Sequence, residues 1–76
     1  MKALIEHIAR SLVEKPESVK VTEVVGENTT ILELSVAKED LGRVIGKQGK
    51  TVRAMRTLLA AIATKQSKKV NLEIIE

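Results

Sequence analysis

The 76-residue sequence contains no cysteine, phenylalanine, tyrosine or tryptophan. Without cysteine, the chain can form neither a disulfide nor a thiolate metal site. A core without aromatic rings must be built from aliphatic side chains, and a chain this short buries only about 60% of its unfolded surface. We therefore expect one small domain of marginal stability. An interface with a second subunit would stabilise it further.

The sequence also lacks a long apolar run and any grouping of catalytic side chains. A membrane-spanning helix needs about 20 apolar residues, and residues 1–15 alternate charged and apolar side chains, unlike a signal peptide. His7 is the only histidine, and no acidic residue lies near the glycines at 46 and 49. We expect a cytoplasmic protein that is not an enzyme, with no catalytic residue, metal, cofactor or membrane contact.

Negative charge is missing from a long segment of the chain. The net charge is only +3, but no acidic residue occurs from Leu41 to Leu72, whereas residues 1–40 carry five basic and eight acidic side chains. Solvated helix faces usually mix the two signs, because opposite charges four residues apart stabilise a helix. We interpret the basic segment as an anion-binding surface, with a solvated helix face as the alternative.

Apolar periodicity predicts the element order helix, strand, strand, helix, helix, strand. The expected helices are residues 2–14, 38–45 and 50–64, and the expected strands are residues 18–25, 29–36 and 69–75. Glu39 and Asp40 would lie in the first turn of the second helix, where negative charge suits the helix dipole. A crossover between neighbouring strands gives a parallel pair. We therefore predict an α+β fold in which a mixed sheet has the second strand in its centre and all three helices on one face.

The longest predicted helix has a wider apolar stripe than one small sheet requires. Ala54, Leu58 and Ala61 widen this stripe, and Ile31 and Ile75 lie on the open face of the predicted sheet. An interface would cover such apolar surface and stabilise a small domain that has no disulfide. We expect a homodimer, with either set of residues as its contact.

A Gly-Lys-Gln-Gly loop at residues 46–49 joins the second and third predicted helices. Glycine permits positive φ angles and close approach to the main chain, and the free N–H groups at the start of the next helix favour an anion. Lys47, Lys50 and Arg53 add positive charge. The pattern indicates a phosphate-binding loop, and the alternative is a plain helix–helix turn.

The same segment also contains the end of a nucleotide-binding P-loop motif, in Gly49-Lys50-Thr51. The full motif requires a glycine five residues before Gly49, where this chain has Val44. A P-loop also follows a strand, whereas this loop follows a predicted helix. We therefore reject a nucleotide-binding P-loop.

Residues 44–52 read Val-Ile-Gly-Lys-Gln-Gly-Lys-Thr-Val and resemble the KH-domain signature VIGxxGxxI, with Val52 as the only departure. The predicted element order matches the type II KH domain, and the resemblance covers essentially the whole chain as one domain, residues 1–76. It implies that the loop clamps about four nucleotides of single-stranded RNA. The implied RNA-binding residues are Arg43, Ile45, Gly46, Lys47, Gln48, Gly49, Lys50 and Arg53, with Lys68 and Lys69 as a basic lip.

The resemblance also bears on how bases are held and on the partners of the protein. KH domains hold bases in an aliphatic groove, for which Ile45, Val52 and Val36 are candidates, although each is equally well explained as a core residue. Small stand-alone bacterial KH proteins are cytoplasmic RNA chaperones or regulators that form homodimers, associate with a larger KH protein and are linked to cell division and cell shape. A protein-interaction or dimerisation scaffold with little RNA binding is the alternative.

Overall fold

A computed structural model describes residues 1–75 of the chain, so the last residue of the predicted 1–76 domain lies outside the described part. The elements are α1 (Lys2–Leu12), β1 (Lys20–Val25), β2 (Thr29–Ser35), α2 (Leu41–Ile45), α3 (Lys50–Lys65) and β3 (Lys69–Ile75). Short 3-10 turns occupy Pro16–Ser18, Lys38–Asp40 and Lys47–Gly49. The predicted order of helices and strands is confirmed.

The three strands form one mixed sheet in the order β1-β2-β3. Strand β2 runs antiparallel to β1, with Leu34 opposite Val21, and parallel to β3, with Leu32 opposite Leu72. Buried and half-buried residues alternate along β2, as expected when one face of a strand packs against helices. The predicted α+β fold and strand arrangement are therefore confirmed.

The core is aliphatic and draws side chains from all three helices and all three strands. Its largest fully buried apolar side chains are Ile5, Leu32, Leu34, Val44, Met55 and Leu59. Each such side chain stabilises the fold by about 2 kcal/mol through the apolar area that it removes from water. Val44 is the only buried residue of α2, so this one side chain anchors the helix that precedes the glycine loop.

Helix α1 ends at Leu12, two residues earlier than periodicity predicts. Val13 has extended φ and ψ angles, and the N–H groups of Glu14 and Lys15 both donate to the carboxylate of Asp40. The helix therefore ends here because the next two N–H groups of the chain donate to Asp40 and not to carbonyls of α1. Pro16 follows Lys15 directly and begins a 3-10 turn, for which the fixed φ of proline is suitable.

Candidate nucleic-acid interface

The loop of residues 46–49 reverses the chain between α2 and α3. The N–H of Gly46 ends α2 by donating to the carbonyl of Gly42 (2.9 Å), and the N–H of Gly49 donates to the carbonyl of Gly46 (3.0 Å). Both loop glycines have positive φ angles, 79° at Gly46 and 73° at Gly49. A Cβ atom on Gly46 would lie 2.7 Å from the main-chain nitrogen of Thr51. Glycine is therefore required at position 46 by backbone angle and by space.

Gln48 also has a positive φ, 57°, although it is not a glycine. Three of the four loop residues thus lie outside the ordinary right-handed region. A left-handed conformation costs a side-chain-bearing residue roughly 1–2 kcal/mol, and such strained residues cluster at functional sites. The sequence motif marks Gln48 as a site residue, but nothing in the sequence indicates its conformation.

Helix α3 begins directly after the loop with no side chain capping its N-terminus and no acidic residue in its first turn. The side chains of Lys47 and Lys50 are exposed. Among residues 1–75, neither lysine forms an ion pair. The N–H of Lys50 donates to the carbonyl of Lys47, but no side chain caps the helix end. This end and both cations are therefore available to an anion from solvent.

The two candidate arginines differ in how they are held. Arg53 lies against the loop, where its Nη2 donates to the carbonyl of Gln48 (3.4 Å). Arg43 instead pairs through Nη2 with the carboxylate of Glu14 (2.6 Å), and its Nε lies 3.4 Å from the carboxylate of Asp40. An anion that binds Arg43 must therefore compete with an existing partner.

Asp40 is a structural residue whose importance the sequence does not reveal. It is only 2% exposed, and its two carboxylate oxygens accept the N–H groups of Glu14 and Lys15, each at 3.1 Å. Beside it, the exposed side chains of Lys15 and Glu39 form an ion pair at 2.6 Å. Their hydrogen bond and mutual attraction raise the pKa of Lys15 and lower the pKa of Glu39. These contacts join the end of α1 to the start of α2 and so position the loop.

The three candidate groove residues fall into two groups. Val36 and Val52 are buried in the core cluster, so their core interpretation is sufficient. Ile45 is 38% exposed at the last position of α2, next to the loop. Of the three side chains, Ile45 therefore offers the most apolar surface to a base.

The remaining candidates, Lys68 and Lys69, lie beyond the other end of α3. This helix has 16 residues and is thus about 24 Å long, so these lysines are not beside the loop. Between the two ends, Nε and Nη2 of Arg56 donate to the carbonyl of Leu72 at 3.3 and 3.1 Å. Sequence reasoning did not select Arg56, although its spacing of three residues from Arg53 in the acid-free segment is a usable signal.

Across residues 1–75, no helix combines the length and apolarity needed to cross a membrane. In the same part, no three side chains of the metal-ligating types come together.

Comparisons with known proteins match the whole chain. The family model described as "KhpA/KhpB, KH domain" matches residues 2–74. The RNA-binding protein KhpA of Clostridium perfringens is 59% identical over 75 residues, covering 99% of this chain and 100% of that protein. The RNA-binding protein KhpA of Chlamydia trachomatis is 51% identical over 76 residues, covering 100% of this chain and 97% of that protein.

A solved structure shares the fold at lower identity. The crystal structure of Era in complex with MgGDPNP and nucleotides 1506–1542 of 16S ribosomal RNA superposes with a TM-score of 0.58 and 23% identity. The match covers 96% of this chain but only 28% of the Era chain, so it supports the fold alone. Because the family model spans nearly every residue and full-length relatives are more than half identical, the chain belongs to the KhpA/KhpB KH-domain family.

Proposed function

We propose that this protein binds single-stranded RNA at the loop of residues 46–49. One observation carries the proposal: the uncapped N-terminus of α3 lies beside two positive-φ glycines. The neighbouring Lys47 and Lys50 are exposed. The relatives named RNA-binding protein KhpA support this choice of anion.

In this proposal the loop holds the sugar–phosphate backbone and the neighbouring surface holds the bases. The N–H groups of Gly46 and Gly49 already donate to carbonyls. The N–H groups of Lys47 and Gln48 and the side chain of Lys47 therefore contact phosphates, and Lys50 and Arg53 flank them. About four nucleotides are held, as in other KH domains, and a base rests against exposed Ile45. Backbone contacts carry little sequence information, so we expect weak sequence preference and poor binding of duplexes, whose stacked bases cannot be splayed.

The decisive test replaces Lys47 and Gln48 with Asp together. Negative charge would then face the phosphates, and we expect affinity for a short single-stranded RNA to fall by more than tenfold. Asp is among the residues that best tolerate the left-handed conformation found at Gln48. The substitution should therefore leave the fold intact by circular dichroism.

A matched control makes the same change in net charge away from the loop, with Lys2→Asp and Ala3→Asp combined at two exposed positions. The control should bind nearly as well as the unaltered protein at moderate salt. For the unaltered protein, three or four phosphate contacts predict a log–log salt slope of roughly −2 to −3. Equal affinities of the loop variant and the control, or a salt-independent affinity, would contradict the proposal.

We further propose that the protein forms a homodimer and associates with a larger, KhpB-like KH protein. Leu58 is 49% exposed on α3 between exposed Ala54 and Ala61. Ile75 is 39% exposed on the open face of the sheet. Sedimentation at tens of micromolar should give a dimer for the unaltered protein and a monomer for one of the variants Leu58→Lys and Ile75→Lys. A monomeric unaltered protein, with a melting temperature independent of concentration, would rule out the homodimer.

These properties suit a cytoplasmic RNA chaperone or post-transcriptional regulator that is not an enzyme, with a role in cell division and cell shape. The exposed Leu58 stripe favours a second candidate, a dimerisation scaffold that binds little RNA. The loop variant separates the two functions. A scaffold would lose nothing when Lys47 and Gln48 become Asp, whereas an RNA-binding protein would lose affinity while keeping its oligomeric state.

A further inference from the structure

An open pocket of about 260 Å³ lies where α3 ends and β3 begins. Its lining is part apolar and part polar, and consists of Ala60, Ala63, Val70, Thr64, Asn71, Lys68 and Lys69. Its volume is slightly below the roughly 300–1,000 Å³ of pockets that hold drug-sized ligands. The pocket therefore suits one planar group of modest size with an attached negative charge.

A single stripe of α3 connects this pocket to the glycine loop. Arg53, Arg56 and Ala60 follow one another at spacings of three and four residues, which places them on one side of the helix. Arg53 contacts the loop through the carbonyl of Gln48, and Arg56 contacts the carbonyl of Leu72 on β3. The seam between α3 and β3 thus carries two arginines between the loop and its midpoint, and the pocket with its two lysines lies at its far end.

The two ends of the seam are separated by a distance that an RNA strand can cover. Helix α3 is about 24 Å long, and successive phosphates of a stacked strand lie about 3.4 Å apart. About seven nucleotides would span this distance, and fewer would be needed if the strand were stretched. A strand longer than the roughly four nucleotides held by a KH loop would therefore reach the pocket.

Charge and shape agree on the class of ligand. No acidic residue occurs between Leu41 and Leu72, so no carboxylate from this segment opposes a phosphate at the rim. The backbone supports the two lysines: the N–H of Lys68 donates to the carbonyl of Ala63 (2.9 Å), and the N–H of Lys69 donates to the carbonyl of Asn28 (3.0 Å). The main chain that carries the two cations is thus fixed to the helix end and to the β1–β2 turn.

We propose that this pocket is a second nucleotide subsite, which takes one base against Ala60, Ala63 and Val70 and the adjoining phosphate at Lys68 and Lys69. The nucleotide belongs to the same strand whose other end is held by the loop, so this proposal rests on the proposed RNA binding. The pocket extends the binding site beyond four nucleotides and makes affinity depend on strand length.

The test measures affinities of the full chain for a tetranucleotide and a decanucleotide of single-stranded RNA by fluorescence anisotropy. Ala60→Leu fills the pocket from an exposed helix position, and Ala3→Leu makes the same change at an exposed position of α1. A second pair compares Lys68→Gln/Lys69→Gln with Lys20→Gln/Lys38→Gln, which removes equal charge elsewhere. The second pair keeps the test valid if Ala60→Leu disturbs folding.

We expect the unaltered protein to bind the decanucleotide about tenfold more tightly than the tetranucleotide, the gain expected from one favourable subsite. Both pocket variants should bind the tetranucleotide normally and lose most of this gain, whereas both controls should retain it. Removing the two lysines should also make the salt slope for the decanucleotide shallower by about 0.7, because one phosphate contact is lost.

A decanucleotide could also bind more tightly because it bridges the two loops of a dimer. Nuclear magnetic resonance distinguishes this explanation from binding at the subsite. Amide signals of Val70 and Asn71 should shift on adding the decanucleotide but not the tetranucleotide. Unshifted signals, or an unchanged length dependence in both pocket variants, would overturn the subsite and leave the loop proposal standing. If the unaltered protein bound neither oligonucleotide, the proposed function itself would fail, and the subsite with it.

Discussion

Gly46→Ala should destabilise the fold more than the same substitution at any other glycine of the loop region. Gly46 has φ 79° and ψ 166°, a combination that is essentially restricted to glycine and costs other residues roughly 1–3 kcal/mol. The new Cβ would also lie 2.7 Å from both the nitrogen and the Cβ of Thr51, and closer still to its hydroxyl oxygen. Relief requires a shift of the α3 backbone, since the nitrogen cannot rotate away.

The magnitude follows from these two contributions. Backbone strain of about 1–3 kcal/mol adds to an overpacking cost that is typically about 1–3 kcal/mol, so we expect a loss of at least about 2 kcal/mol. A domain of this size has a total free energy of unfolding of roughly 4–11 kcal/mol. The substitution should therefore remove a large fraction of the stability.

Gly42 and Gly49 supply matched controls. Gly42 lies inside α2, and a Cβ there would meet nothing within 4 Å, so Gly42→Ala should raise stability by roughly 0.5–1 kcal/mol. Gly49 has space for a Cβ but φ 73°, so Gly49→Ala should cost roughly 1–2 kcal/mol. From most to least stable, the expected order is Gly42→Ala, the unaltered protein, Gly49→Ala and Gly46→Ala.

Urea denaturation followed by circular dichroism measures these differences, because the midpoint shifts while the slope stays constant. Thr51→Ala tests the steric part of the argument. It removes the hydroxyl but not the Cβ or the nitrogen, so combining it with Gly46→Ala should recover only a small part of the loss. Equal stabilities of Gly46→Ala and Gly42→Ala would refute both the backbone and the steric argument.

Two further predictions concern the contacts that join α1 to α2. Asp40→Asn should lower the free energy of unfolding by roughly 1–3 kcal/mol. The two carboxylate oxygens of Asp40 accept from the N–H groups of Glu14 and Lys15, whereas asparagine has only one acceptor oxygen and would leave one of these N–H groups unpaired. Glu39→Gln should lower the free energy of unfolding much less, since the ion pair of Glu39 with Lys15 is exposed. Equal losses for Asp40→Asn and Glu39→Gln in chemical denaturation would contradict this prediction. The lowered pKa of Glu39 predicts a small stabilisation that is present above the ordinary glutamate pKa of 4.5 and is lost as pH falls through the folded-state pKa. The raised pKa of Lys15 predicts one that is present below 10.5 and is lost as pH rises through its folded-state value. Melting temperatures from pH 3 to 11 should show both losses in the unaltered protein. In Glu39→Gln the acid loss should be absent and the alkaline loss smaller, because Asp40 and Glu17 still raise the pKa of Lys15.

The element order was predictable because each element carries its own periodic pattern. Strand β2 alternates buried and half-buried residues from Thr29 to Ser35, and this pattern is visible in the sequence without any partner. The end of α1 was not predictable to the residue. It is decided by the carboxylate of Asp40, which lies 26 residues from Glu14, and no local pattern records a contact over that distance.

The candidate site, like the fold, was predictable where it depends on neighbouring residues and not where it depends on contacts between distant ones. The two loop glycines, Lys47 and Lys50 were found from a contiguous motif, and their conformation and exposure agree with the phosphate-binding interpretation. The ion pair of Arg43 with Glu14 and the contact of Arg56 with Leu72 join residues 29 and 16 positions apart. A residue type and its spacing indicate that a cation is near the loop, but not whether another part of the chain already neutralises it.

The acidic and basic halves of the sequence are joined where the loop is positioned. Helix α2 has only five residues and is too short to be stable alone, so its two ends must be fixed by tertiary contacts. Asp40 fixes the first end by binding the chain after α1, and the buried side chain of Val44 fixes the second. Acidic residues of the first half thus position the basic loop without neutralising it, since they pair with Arg43 and Lys15. In the described chain Lys47 and Lys50 are left without an acidic partner. In the proposed function these two lysines therefore make the first contacts with RNA, and Arg43 joins them only after a phosphate displaces Glu14.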